Sequence, residues 1–139
     1  MNQDEEHLKL LSIFHYVVAG LSALFACFPI FHLVIGIGMV IGSLVDPSRD
    51  SIPLAGVGLI FTIFAGGIML FGWVFAASVA FAGRFLMTRK RYMFCLVVAG
   101  IECIFTPFGT ILGVFTIIVL MRPSVKELFG VGQTAEAIT

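Results

Sequence analysis

The sequence predicts an all-α fold, a polytopic bundle of about four transmembrane helices followed by a short C-terminal amphipathic helix. Three observations carry that expectation. First, 60% of the 139 residues are hydrophobic and 12% are charged, with mean hydropathy +1.12, whereas a soluble domain runs at about 45–50% and about 25%. So short a chain has too much surface for its volume to hide that much apolar side chain from water. Second, charge divides the chain into three apolar tracts, 10–45, 51–83 and 92–121, each longer than the roughly 20 residues one crossing needs. Third, the prolines and the distribution of Lys and Arg indicate where those tracts bend and which ends share a face. The formal net charge is zero, so no overall field draws the chain to nucleic acid.

Residues 1–9, "MNQDEEHLK", are acidic where a secretory signal is basic, and no small-residue cleavage site follows. The first helix is therefore read as an uncleaved anchor. Residues 10–121 form the expected transmembrane domain. Its first crossing runs from about 8 to 28, in line with the ~20-residue span. Pro29 then bends the tract, and residues 30–45 either continue as a kinked extension or dip back at the outer leaflet. "DPSRDSIP", residues 46–53, is a polar turn-rich loop suited to the non-cytoplasmic side. The second tract reads as one long tilted crossing and ends at the basic stretch 84–91.

In the third tract Pro107 lacks an N–H and disfavours helix at Thr106, while Gly109 is a permissive turn residue. "TPFG" thus reads as a tight turn between two helices of roughly 15 residues, short for a crossing; one kinked, tilted helix is the competing reading. Arg89, Lys90 and Arg91 precede this tract and Arg122 and Lys126 follow it. A hairpin keeps both groups on the cytoplasmic side, as the positive-inside rule prefers. Residues 122–130 form the expected interfacial amphipathic helix, with Ser124 and Glu127 as a capping box after Pro123, Val125, Leu128 and Phe129 on its apolar face, and a stop at Gly130. Residues 131–139 read as a flexible tail.

Glu102 is the leading functional candidate, because a carboxylate inside the membrane costs about 2.5–3.5 kcal/mol on insertion scales. In the hairpin it lies near the Pro107 turn, within reach of interfacial water. Thr106, Ser22 or a freed backbone group would be its hydrogen-bond partners. No second acidic residue occurs in an apolar tract, so a proton relay would have to be built between subunits. His15 and His32 complete the set of proton or substrate candidates. They are 17 residues apart, about 25 Å along a straight helix, so they do not clamp a haem at one depth. No His-x-x-His or Glu-x-x-His spacing offers a metal site. Cys27, Cys95 and Cys103 lack C-x-x-C spacing and read as small buried hydrophobes.

Small residues give a separate signal. Gly72, Ala76 and Ala80 recur every fourth position, and Gly38/Gly42 and Gly109/Gly113 repeat the pattern; in lipid, such faces drive helix packing. Arg89, Lys90 and Arg91 can meet anionic lipid head groups at about 1 kcal/mol per charge, besides fixing orientation. With no nucleophile elbow, phosphate loop, paired carboxylates or metal cluster, neither an enzyme nor a cofactor is expected. Sliding the chain by eighty positions also aligns "VVAGLSALFACF" with "VVAGIECIFTPF", as a duplicated unit would.

"PFGTILGVFTIIVLMRPSVKELF" resembles the C-terminal hairpin half of a group of uncharacterised bacterial small four-helix integral membrane proteins. Pro107, Gly109, Thr110, Gly113, Pro123 and Lys126 carry the likeness. "HYVVAG" and "RKRYMFCLVVAGIEC" extend it over most of residues 8–129. The resemblance implies a bacterial origin and a four-helix design, with no reaction attached. The expected location is the bacterial inner membrane, with the termini and loop 84–91 in the cytoplasm. The expected role is a structural or accessory subunit, packed through its small-residue faces in a homo-oligomer or a larger membrane complex. A small oligomeric proton-coupled transporter or channel using Glu102 is the alternative.

Overall fold

The computed structural model describes residues 3–46, 51–104 and 108–131. Every regular element among them is helical: α1 (Gln3–Ala26), α2 (Ile30–Val45), α3 (Ser51–Thr88), α4 (Tyr92–Glu102), α5 (Phe108–Leu120) and α6 (Pro123–Leu128). Two stretches are long and apolar enough to cross a membrane, Gln3–Val45 and Ile52–Thr88. α4 and α5 have 11 and 13 residues, about 16 and 20 Å at 1.5 Å per residue, against a hydrocarbon slab of about 30 Å. The turn at Pro107, the centre of the polar loop (47–50) and the tail from 132 onward lie outside the described residues.

The chain divides into two compact units, Leu21–Phe75 and a second formed by Met1–Gly20 with Ala76–Thr139. In the Leu21–Phe75 unit, Pro29 interrupts the first tract as its missing N–H requires. The bonds there tighten to the i−3 pattern: Cys27 N–H donates to Leu24 O, Phe28 N–H to Phe25 O and Ile30 N–H to Cys27 O, at 3.0–3.2 Å. The chain then resumes as α2 on the same course. Ala26 of α1 meets Gly72 of α3, Gly36 of α2 meets Thr62, and Val40 meets Gly58. Each advance along α1 and α2 is matched by an equal retreat along α3, the register of an antiparallel pair. Residues 30–45 are therefore a helical extension within this unit. The helices touch through glycine: a Cβ on Gly36 would stand 2.9 Å from Gly58 O and Thr62 N, and one on Gly58 would stand 2.8 Å from Gly36 O.

In the other unit α4 and α5 run antiparallel. The Tyr92 hydroxyl donates to Leu120 O (3.0 Å), the Thr110 hydroxyl donates to Cys103 O (2.9 Å), and Gly113 lies against Ala99 and Cys103. The third apolar tract is thus folded back on itself. Leu8, Leu11, Leu86, Cys95, Leu112, Val119, Leu120 and Val125 form the core of this unit.

α6 departs from the sequence expectation in two ways. Pro123 occupies the first helical position, so the N-cap is Arg122 and no side chain caps the helix; Ser124 is already inside it, and the capping box does not form. Proline's fixed φ favours that first position, which moves the start of the helix back by two residues. The apolar face is also turned inward: Val125 is fully buried and Leu128 and Phe129 pack on the same core. The stop at Gly130 has the expected chemistry. Gly130 adopts φ +71, and the Val131 and Gly130 N–H groups return to Lys126 O and Glu127 O (3.0 and 2.9 Å), a Schellman closure.

One end of this unit is fastened by charge. Arg89 donates to Glu5 at 2.7 Å and Arg122 to Asp4 at 3.2 Å, so the start of α1, the α3–α4 connection and the α5–α6 junction meet. A hydrogen bond from the Ser124 hydroxyl, then the Arg122 guanidinium, holds the Asp4 carboxyl below the usual carboxylate range. A carboxylate depressed in the folded state stabilises it above the unfolded-state value and loses that contribution as pH falls through the folded one. Amide exchange in α6 is accordingly expected to speed up on acidification below the ordinary carboxylate range. Asp4→Asn should remove that acid step, and an unchanged step in the variant would exclude Asp4 as its source.

Candidate functional site

The polar interior of the α1/α3/α4/α5 unit is small: Ser12, His15, Glu102 and Thr116 are all fully buried. Ser12 donates to Gly83 O at 2.7 Å and Thr116 to Leu112 O at 2.7 Å, so both hydroxyls are satisfied by backbone. His15 and Glu102 are satisfied differently. One turn below His15, Leu11 O lies 2.8 Å from Nδ1. A carbonyl only accepts, so Nδ1 carries a proton whatever the charge of the ring. Nε2 is 3.3 Å from Glu102 Oε2, with both side chains at 0% exposure. Among the described residues, Nε2 and both carboxylate oxygens have no hydrogen-bond partner. The 3.3 Å approach is therefore a close electrostatic contact with poor directionality.

Glycine makes this approach possible. A Cβ on Gly83 would stand 3.0 Å from His15 Cβ and 3.2 Å from Ser12 O, so α3 presents bare backbone to α1 at that level. On α4, Cys95 and Ala99 are fully buried, and the Cys95 thiol donates to Ala82 O at 3.8 Å. Small side chains on two helices thus leave room for an imidazole and a carboxylate to meet in an otherwise apolar interior. Removing one member would leave the other buried without an opposite charge, at a cost of about 3–5 kcal/mol for pairs of this kind. As metal ligands the two residues are one short: no three His, Cys, Asp or Glu side chains cluster among the described residues, and zinc takes at least three protein ligands.

The sequence expectation pairs Glu102 with Thr106, Ser22 or backbone and places any relay between subunits. The structure instead brings His15 to it within one chain; Thr106 lies outside the described residues. A countable signal exists. His15 is twelve residues into α1 and Glu102 ten residues into α4, so helices that start at the same end carry them to similar heights.

The remaining candidates separate. His32 belongs to the Leu21–Phe75 unit, where it is exposed and flanked by Phe28 and Phe61 with ring centroids 6.3 Å away. It sits at an apolar groove with Pro29, Ile60 and Phe64. Gly72 is pressed against Ala26, Ala76 is buried and Ala80 half-buried, while Gly109 and Gly113 are buried. Gly38 and Gly42 face outward, and a Cβ on either would meet nothing within 4 Å among the described residues; the glycines that pack α2 are Gly36 and its partner Gly58. Of the basic triplet, Arg89 is engaged by Glu5 and Arg91 lies over the Phe85 ring at 5.7 Å, while Lys90 is exposed. Arg89 and Arg91 both adopt left-handed φ, 54 and 55, a conformation that costs an L-residue roughly 1–2 kcal/mol. No family model, curated protein or solved structure matches the chain.

Proposed function

We propose that this chain is a non-enzymatic integral membrane protein that serves as a structural or accessory subunit of a larger assembly in the membrane. The observation that supports this reading is where its large apolar side chains lie. Leu24, Phe25, Leu44, Ile60, Phe64 and Leu70 are 67–76% exposed, while the helix contacts beneath them are made by glycine and alanine. Water would penalise such a surface heavily. Lipid accepts it, and there close packing of small residues holds helices together. The outward Gly38 and Gly42 of α2 leave one such face unused among the described residues, open to a second subunit.

On this reading the N-terminal acids, loop 89–91 and Arg122 lie on the cytoplasmic face, as the positive-inside rule prefers. At about 16–20 Å, α4 and α5 form a hairpin that enters and returns on that face without filling the ~30 Å hydrocarbon slab. Glu102 then sits near mid-depth, deeper than a turn at the outer interface would place it. Extraction in a mild detergent should yield the chain in a stoichiometric complex, with itself or with a larger membrane protein. Gly38→Leu with Gly42→Leu should lower the recovered complex without unfolding the chain. A stable monomer in the parent protein overturns the reading.

A further inference from the structure

We propose that His15 and Glu102 form a proton-binding site that holds one proton between Nε2 and Oε2 and serves as an acid-opened latch between α1 and α4. Because Leu11 O accepts from Nδ1 at 2.8 Å, the neutral ring presents the lone pair of Nε2 to the carboxylate. Those two acceptors stand 3.3 Å apart in a fully buried place, and Nε2, Oε1 and Oε2 have no hydrogen-bond partner among the described residues. Without a proton the site would hold a bare negative charge in apolar surroundings, which burial penalises strongly. One proton removes that charge, whether it rests on the ring as imidazolium facing carboxylate or on Glu102 as carboxylic acid facing imidazole. The two forms interconvert by moving the proton between Nε2 and Oε2, with no change in net charge.

Among the described residues, nothing around the pair accommodates a second proton. α1 contributes Ser12, whose hydroxyl is committed to Gly83 O, with Lys9 and Tyr16 exposed. α3 contributes bare backbone at Gly83, and its one charge, Arg84, is exposed. α4 contributes Cys95, directed at Ala82 O, the half-buried Cys103, and Tyr92, directed at Leu120 O. α5 contributes Thr116, directed at Leu112 O. A second proton gives an imidazolium facing a neutral carboxyl, a net positive charge with no counter-ion. The site relieves this by separating α1 from α4 so that the ring reaches a polar environment. A proton fits these atoms better than a metal ion, which would need a third ligand that the described residues do not supply.

The test uses the full chain in phosphatidylcholine vesicles, in an Asp4→Asn background that silences the separate α1–α6 tether. Nitrogen-15 histidine spectra, assigned with His7→Gln and His32→Gln, report the protonation of His15, and amide exchange reports α4. While α4 stays protected, His15 should hold one state with Nδ1 protonated. On further acidification His15 should gain a proton in the same step in which α4 loses protection. The α4 opening constant should then rise about tenfold per pH unit, the slope for uptake of one proton. His15→Phe with Glu102→Leu should make that profile flat. Proton uptake at His15 with α4 still fully protected overturns the proposal, and so does α4 opening with no change at His15. Both of these readings come from a protein with the pair intact, so they stand even if the double variant fails to fold.

Discussion

Glu102→Leu or His15→Phe alone is expected to destabilise the protein by about 3–5 kcal/mol, the range for breaking a buried ion pair by removing one partner. The double variant should recover most of that loss. The reason lies in what each single change leaves behind. Without His15, Glu102 keeps two buried oxygens with no hydrogen-bond partner among the described residues. Without Glu102, Nε2 keeps a lone pair facing leucine. Replacing both restores an apolar interior of similar volume, an exchange that is often neutral or stabilising. Reversible unfolding in mixed micelles measures the three values, and the coupling between the two sites is read as in any double-mutant cycle. Additive losses would show that the two side chains act independently despite their 3.3 Å separation.

The second large effect concerns glycine. Gly113→Ala and Gly36→Ala should each cost about 1–3 kcal/mol, the usual range for overpacking. The obstacles are backbone atoms, which cannot rotate aside: Ala99 O and Cys103 N beside Gly113, Gly58 O and Thr62 N beside Gly36. Gly38→Ala and Gly42→Ala, two and six residues after Gly36 on the same helix, should be neutral or stabilise by up to ~1 kcal/mol through helix propensity, because the space at each is open. Thermal unfolding of the four variants separates the groups. A loss at Gly38 equal to that at Gly36 would mean that α2 packs in a different register.

The contrast between Gly36 and Gly38 also shows where sequence reasoning reaches its limit. The three apolar tracts, the break at Pro29 and the reversal of the last tract are all legible. They follow from chain-wide constraints: few charges, a missing N–H, and cations on both flanks of one tract. Which face of α2 turns inward is not legible, because the helix is apolar all round and the i, i+4 spacing fits more than one pair of glycines. The start of α6 is misjudged for a local reason, since Pro123 competes with Ser124 for the start of the helix and wins. The His15–Glu102 pairing escapes because Glu102 is placed by its distance from the turn, while His15 is weighed only against His32. Measuring both from the end that their helices share brings them level.

The ionic fastening at the base of α1 has a bearing on how the chain assembles. Glu5 waits for a cation 84 residues downstream and Asp4 for one 118 residues downstream, so both bonds close long loops. Local hairpins form long before such distant ends can meet. During translation the first helix therefore stays unanchored at its base until the ribosome has delivered Arg89, and the second fastening waits for Arg122.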